Sequence, residues 1–278
     1  MIELVYMINL NIFKKDGKFL MLALDHRTTF KKIINPSNPN DVKKEEIVEL
    51  KKKIIESTLD QMSGLLIDPF YGYEAYNQIK KDKGVPYLLC AERSGYEKSE
   101  DGPKTEIQYK VEQLKILGAS GVKLLLPFHP HKKTAIHQID IAKRILEDSR
   151  KNELPLFLEV VIDSNEGNDS GLIIESLKLL LKNDIQPNVF KLDFPGNDPL
   201  CKDITKILGD IPWILLTRGV SFGVFKSELE VASKNGAVGF LAGRALWQDV
   251  EDINESERET YFKEILPNRF REISEIVK

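Results

Sequence analysis

The stretch Asn188-Val-Phe-Lys-Leu-Asp-Phe-Pro195 reads as a short buried strand with a lysine in its middle. Val189, Phe190, Leu192 and Phe194 are strand formers, and Pro195 stops the run. Taking an ammonium out of water is costly unless it is paired or neutralised. Burial favours the neutral amine, and a neutral amine is a nucleophile. Taken alone, Lys191 also fits an edge strand or a salt bridge with Asp193. The apolar run Gly121–Leu126 carries a second lysine, Lys123, and the run Leu156–Val161 carries Glu159. Neutral Lys191 would attack a ketone and form a Schiff base. The protonated imine is an electron sink that lets a C–C bond break, while Glu159 shuttles protons. Lys123, remaining cationic, would disfavour a proton on Lys191 and orient a substrate hydroxyl.

Two further segments fit a phosphate. Thr217-Arg-Gly219-Val-Ser221 and Gly243-Arg244-Ala245 each follow an apolar run with glycine, hydroxyl or guanidinium groups. Backbone N–H groups at a helix start plus an Arg fork suit a phosphate dianion. Each motif is short, and Gly219 and Gly243 fit ordinary turns as well. Phe128-His129-Pro130-His131 raises a metal reading, but a metal site needs three or more ligands. Only His26 and His137 remain, neither in a ligand motif, so no metal is expected. This loop is expected to touch the far end of a substrate or to cap the barrel. Cys90, Trp213 and Trp247 read as packing residues.

Elements must bring these groups together. Apolar runs recur at Phe19–Asp25, Gly64–Asp68, Tyr87–Glu92, Gly121–Leu126, Leu156–Val161, Val189–Asp193, Trp213–Thr217 and Val238–Ala242. They are near-continuous and not alternating, as parallel strands buried on both faces are. Helical periodicity fills segments between them, at Lys44–Gln61, Thr105–Leu117, Lys133–Lys151, Ser170–Asn183 and Ser227–Asn235. Arg258–Lys278 reads as a closing amphipathic helix. Eight strands alternating with helices predict an α/β (β/α)8 TIM barrel, a single domain over residues 1–278. A doubly wound sheet is disfavoured, because no Gly-x-Gly-x-x-Gly follows an early strand. In a barrel the strand ends converge on one mouth: Asp25-His26-Arg27, Asp68, Glu92 to Tyr96, Thr217-Arg218-Gly219 and Gly243-Arg244.

Composition excludes other classes. The chain has 278 residues, 42% hydrophobic, enough for one large core or two small ones. A net charge of -3 gives no footprint for nucleic acid, and no apolar run is long enough to span a membrane. The run Met1–Ile8 carries Glu3 and no basic start, so no signal peptide is expected. Two cysteines without metal spacing suit a reducing compartment, and a cytoplasmic location is expected. The lysine-rich runs Lys43-Lys44 and Lys51-Lys52-Lys53 read as solvated helix faces.

The carriers of a family resemblance lie in order along the chain. They are Leu22-Ala-Leu-Asp25-His-Arg27, Leu66-Ile-Asp68-Pro-Phe-Tyr-Gly72, Ala91-Glu92-Arg-Ser-Gly95-Tyr96, Val122-Lys123, Phe157-Leu-Glu159, Phe190-Lys191-Leu-Asp-Phe-Pro195, Leu216-Thr-Arg-Gly219-Val-Ser221 and Gly239 to Trp247. From Phe19 to Trp247 the chain resembles the class I aldolases that cleave tagatose 1,6-bisphosphate, and their relatives that cleave 6-deoxy-6-sulfofructose 1-phosphate. The resemblance implies a metal-independent lyase without cofactor. It makes Lys191 the Schiff-base lysine and Glu159 the general acid/base, with Asp25 and Lys123 lining the site. It makes Thr217, Gly219, Gly243 and Arg244 the grip on the C1 phosphate. Arg218, His26, Arg27 and Glu92 are the further substrate-binding candidates. The chain departs from the family at His26 (usually Gln), Thr217 (usually Ser) and Arg218 (usually small), which bears on the substrate. Asp-His-Arg and the last loop also resemble the aldolase for 2-deoxy-5-keto-gluconate 6-phosphate. A metal-dependent lyase or isomerase and a non-catalytic sugar-phosphate sensor are the competing readings. A small-molecule sugar phosphate is the expected partner, with a homo-oligomer compatible.

Overall fold

The computed structural model describes residues 8–80, 84–162 and 171–278. Eight parallel strands close on themselves: β1 (Phe19–Leu24), β2 (Gly64–Ile67), β3 (Tyr87–Cys90), β6 (Gly121–Phe128), β7 (Leu156–Ile162), β8 (Val189–Leu192), β9 (Trp213–Leu216) and β10 (Gly239–Ala242). They neighbour one another in chain order, and β10 pairs back onto β1 from Phe19↔Gly239 to Leu22↔Ala242. This is the (β/α)8 barrel that the alternation predicts.

The helices are α1 (Thr28–Ile34), α2 (Lys44–Thr58), α3 (Gly72–Ile79), α4 (Val111–Ile116), α5 (Ala135–Lys151), α6 (Leu172–Lys182), α7 (Asp198–Leu208), α8 (Phe222–Lys234), α9 (Arg244–Trp247), α10 (Glu255–Thr260) and α11 (Leu266–Ile276). Their apolar faces and the outward faces of the strands form one large core.

Several boundaries differ from the sequence reading, each for a local reason. The helix expected from Thr105 begins only at Val111. Residues 105–109 are held elsewhere, because Thr105 N–H donates to Gln138 and the N–H groups of Gln108 and Tyr109 both donate to the Ala91 carbonyl. Helix α8 starts earlier than expected, at Phe222, capped by the Ser221 hydroxyl, which accepts from Val224 N–H. The tail is α10, a π-turn at Tyr261–Ile265 and α11. Pro267 has no N–H to give to the carbonyl four residues back, which accounts for the wider turn before it. A hairpin, β4 (Glu97–Ser99) and β5 (Gly102–Lys104), carried no apolar alternation to announce it. The N-terminal residues Met1–Met7, read above for a signal peptide, and Ser170, read as a helix start, lie outside the described residues.

Inside the barrel a second apolar cluster fills the lower half: Phe19, Met21, Ala23, Leu66, Leu88, Phe157, Val189, Ile214 and Leu241. Phe13, from the turn Leu10–Phe13, plugs the base, its ring 5.3 Å from that of Phe157. Strand side chains alternate, so residues two positions further on face the same axis at the upper end. Those residues include Asp25 above Ala23, Glu159 above Phe157 and Lys191 above Val189.

One sequence reading is overturned. Lys51 is fully buried and not solvated. Its ammonium donates to the carbonyls of Leu24 (2.5 Å) and His26 (2.8 Å) and to Asp68 Oδ2 (2.5 Å). It lies on the inward face of α2 with Ile47, Ile54 and Ile55, also buried. Successive residues turn by about 100° around a helix, which carries Lys51 onto the face of Ile47, Ile54 and Ile55 while Lys53 faces water.

Candidate active site

Lys123, Glu159 and Lys191 stand on the adjacent strands β6, β7 and β8. Glu159 is the register partner of Lys191. Lys123 Nζ lies 2.8 Å from Asp25 Oδ2, 2.7 Å from Glu92 Oε1 and 2.9 Å from Glu159 Oε2. Lys191 Nζ lies 2.9 Å from the same Glu159 Oε2. The Glu159 contacts are ionic approaches without well-aligned hydrogen-bond geometry at that oxygen. Both lysines are almost wholly buried, at 2% and 4% exposed.

Electrostatics separate the two amines. Burial opposes the charge of Lys123, but the carboxylates of Asp25, Glu159 and Glu92 outweigh it and hold its pKa well above the ordinary lysine value. Asp25 shows the mirror image: burial raises it, and Lys123, His26 and Lys191 together hold it below the usual carboxylate range. Glu159 is lowered on balance too, burial being outweighed by Lys123 and then Lys191. Lys123 is thus a fixed cation gripped by three acids, whereas among the described ion pairs Lys191 meets one acid only, and shares it.

These groups form the floor of a cavity of about 490 Å³ at the carboxyl ends of the strands. Of the twelve residues singled out in the sequence, eleven line it: Asp25, His26, Arg27, Glu92, Lys123, Glu159, Lys191, Thr217, Arg218, Gly243 and Arg244. Thr28, Thr29, Leu125 and Val161 also line it, and no chemical signal in the sequence marked them. Gly219 stands behind the wall. Its φ is +83°, and a Cβ there would meet the Arg244 guanidinium carbon at 2.7 Å.

Residues 19–249 match the family described as DeoC/LacD family aldolase. This chain belongs to that aldolase family. It is 28% identical over 272 residues to tagatose 1,6-diphosphate aldolase 1 of Enterococcus faecalis, covering 86% of this chain and 82% of that one. Its fold is that of a Schiff base forming fructose-1,6-bisphosphate aldolase, with a TM-score of 0.67, 20% identity, and 97% and 98% of the two chains covered. An archaeal fructose-1,6-bisphosphate aldolase, whose structure has the catalytic Lys covalently bound to the carbinolamine intermediate, aligns with a TM-score of 0.67 at 20% identity, over 96% and 97% of the chains.

The remaining features of this aldolase differ in part from expectation. The salt bridge of Lys191 with Asp193 is not formed; Asp193 pairs instead with Arg218, which also donates to the Ile162 carbonyl at 3.0 Å. Arg218 adopts a left-handed backbone, φ +44°, seldom used by a side-chain-bearing residue. Burial, partly offset by Arg218, pushes Asp193 up to about 6. Burial pulls His26 down to about 4, the Arg244 cation adding to the effect, so its ring is neutral near pH 7. Arg27 spends its guanidinium on protein groups: Gln108 Oε1 at 2.7 Å, Cys90 Sγ at 3.3 Å and the Glu92 carbonyl at 3.4 Å. His131 pairs with Glu175 at 2.8 Å, and neither His129 nor His131 lines the cavity. Among the described residues no three His, Cys, Asp or Glu side chains are placed to hold a metal ion, and no helix is long and apolar enough to cross a membrane.

Proposed function

We propose that this aldolase cleaves a ketose 1-phosphate of the tagatose 1,6-bisphosphate type to dihydroxyacetone phosphate and an aldehyde, with Lys191 as the imine-forming residue. The observation that carries the assignment is the unequal pairing of the two lysines. Lys123, ringed by three carboxylates, stays an ammonium and cannot attack a carbonyl. Lys191, paired with Glu159 alone, is the amine left to react with the carbonyl.

The steps follow from the geometry. The Lys191 amine adds to the C2 ketone to give a carbinolamine, the intermediate named for the archaeal aldolase of the same fold. Glu159, 2.9 Å from that nitrogen, takes the proton shed as the ammonium becomes the attacking amine and returns it to the carbinolamine hydroxyl, which leaves as water. The resulting iminium draws electrons from the C3–C4 bond as the Glu159 carboxylate takes the C4 hydroxyl proton, releasing the aldehyde. Glu159 returns that proton to C3 of the enamine, and water hydrolyses the imine to free dihydroxyacetone phosphate and Lys191. Lys123 and Asp25 sit where a substrate hydroxyl can be oriented. Thr217, Gly243 and Arg244 form the wall proposed for the C1 phosphate, with Gly219 giving the Arg244 guanidinium room. Of the cavity's arginines, Arg27, Arg93 and Arg218 are engaged by protein acceptors, which leaves Arg244 in the wall to meet an anionic sugar.

The test is borohydride reduction with dihydroxyacetone phosphate, read by intact mass and peptide mapping. The adduct is expected on Lys191. An adduct on Lys123 reverses the roles, and no adduct with any ketose 1-phosphate, in an enzyme that still turns over, rules out the imine.

A further inference from the structure

The pair Lys51–Asp68 lies outside the cavity and takes no part in the steps above. Both side chains are fully buried. Taking two charges out of water is expensive, and well-packed apolar residues often serve stability as well. Each donor of the ammonium has a purpose, however. One meets Asp68, and the other two meet the carbonyls of Leu24 and His26, the residues on either side of Asp25. The β1–β2 ladder ends at Leu24↔Ile67, so Lys51 takes up carbonyls where the sheet stops.

Asp68 is fixed in its turn. Its Oδ1 accepts from the N–H groups of Phe70 and Tyr71, and its Oδ2 from Gly72 N–H. Its Oδ1 also lies 3.9 Å from Arg27 Nε. The Lys51 ammonium sits 4.6 Å from the centre of the Phe30 ring, which stacks on Trp247 at 4.7 Å. Trp247 donates to the Ala23 carbonyl at 3.1 Å and meets the His26 ring edge-on. The backbone from Ala23 to His26 is therefore gripped from two sides.

We infer that Lys51, anchored by Asp68, is a positioning residue that holds the backbone carrying Asp25 so that its carboxylate meets Lys123. The inference rests on the proposed reading of Asp25 and Lys123 as part of the reacting site. Asp25 reaches Lys123 at 2.8 Å from the end of β1, across the barrel mouth from β6. A displacement of about 1 Å at such a group costs on the order of 10- to 100-fold in rate.

The experiment uses the full chain with Lys51→Met, which removes the charge at similar volume, and Lys51→Gln, which keeps an amide donor for the carbonyls. Hydrogen exchange by mass spectrometry is expected to quicken in the segment from Leu24 to Thr28 while β6, β7 and β8 exchange at wild-type rates. With tagatose 1,6-bisphosphate, kcat is expected to fall about 10- to 100-fold with KM within about threefold of wild type. The acid limb of the kcat profile is expected to move to higher pH, because Asp25 is no longer held against Lys123, and Lys51→Gln should recover part of each change. Unchanged exchange at Leu24–Thr28 in a folded variant overturns the inference. So does faster exchange there with kcat and the acid limb unmoved. Failure of both variants to fold also overturns it, since the pair then serves stability alone. If wild type neither cleaves this sugar nor traps dihydroxyacetone phosphate, the proposed function falls, and the exchange data still decide whether Lys51 clamps the turn.

Discussion

Glu159 Oε2 stands 2.9 Å from each of two ammonium groups, so any change there is felt by both. Glu159→Gln is nearly isosteric and is expected to keep the fold. Its turnover is expected to fall about 100-fold or more, read by steady-state kinetics alongside circular dichroism. Full activity in a folded variant would remove Glu159 from proton transfer. Asp193 offers a pH test. Its carboxyl is raised from 3.8 to about 6, with burial as the first cause. Between those values the folded state holds more proton than the unfolded state, so stability from this group falls as pH rises through the window. Asp25 and Glu159 are shifted the other way, and their contribution is lost as pH falls. Asp193→Asn leaves those two in place. The melting temperature of the variant minus that of wild type is therefore expected to rise from pH 4 to pH 6, and a flat difference would contradict the shift.

The loops after β9 and β10 act as one unit at the scale of elements. Gly219 leaves a gap that the Arg244 guanidinium fills, and its φ of +83° disfavours a side chain in any case. Arg244→Ala is expected to lose roughly 2–4 kcal/mol of binding to the phosphate. That is on the order of 30- to 1000-fold in kcat/KM for the phosphorylated sugar. Cleavage yielding unphosphorylated dihydroxyacetone should be nearly unaffected. Gly219→Ala is expected to reproduce a weaker form of the same defect by pushing the guanidinium aside. Arg218 starts one loop away but is tied to Asp193 and Ile162. If Arg218→Ala harms phosphate binding while Arg244→Ala does not, the phosphate wall is wrongly drawn. The loop after β6 is built differently, with His131 turned to Glu175 and not to the cavity.

For the whole molecule, the charged floor rests on an apolar plug. Phe157 meets Phe13 and Phe19 edge to face at the base. Phe13→Ala is expected to cost about 3–5 kcal/mol of unfolding free energy, as large-to-small changes in a core do. Urea denaturation reads the loss. Glu159 lies roughly 6–7 Å further along β7 than Phe157, so kcat at a temperature well below the transition should stay near wild type. A large fall in kcat at unchanged stability would mean that the base is not mechanically separate from the mouth.

The positions of Lys123, Glu159 and Lys191 were legible from sequence because each interrupts an apolar strand, and the two-residue period sets which way it faces. The eight runs gave the barrel, and the barrel gave the convergence of their ends. What the sequence could not show was the unequal pairing of the lysines, because Asp25, 98 positions away, and Glu92 both close on Lys123. Barrel closure decides that by bringing β1 and β3 within reach of β6. The burial of Lys51 was equally hidden, because it heads a run of three lysines and its partners come from two strand ends. Asp193 shows the same limit: two residues from Lys191 in the chain, it pairs with Arg218 from the next strand's loop. Local pattern fixes the direction of a side chain, whereas its charge partner depends on which distant backbone the closed sheet brings alongside.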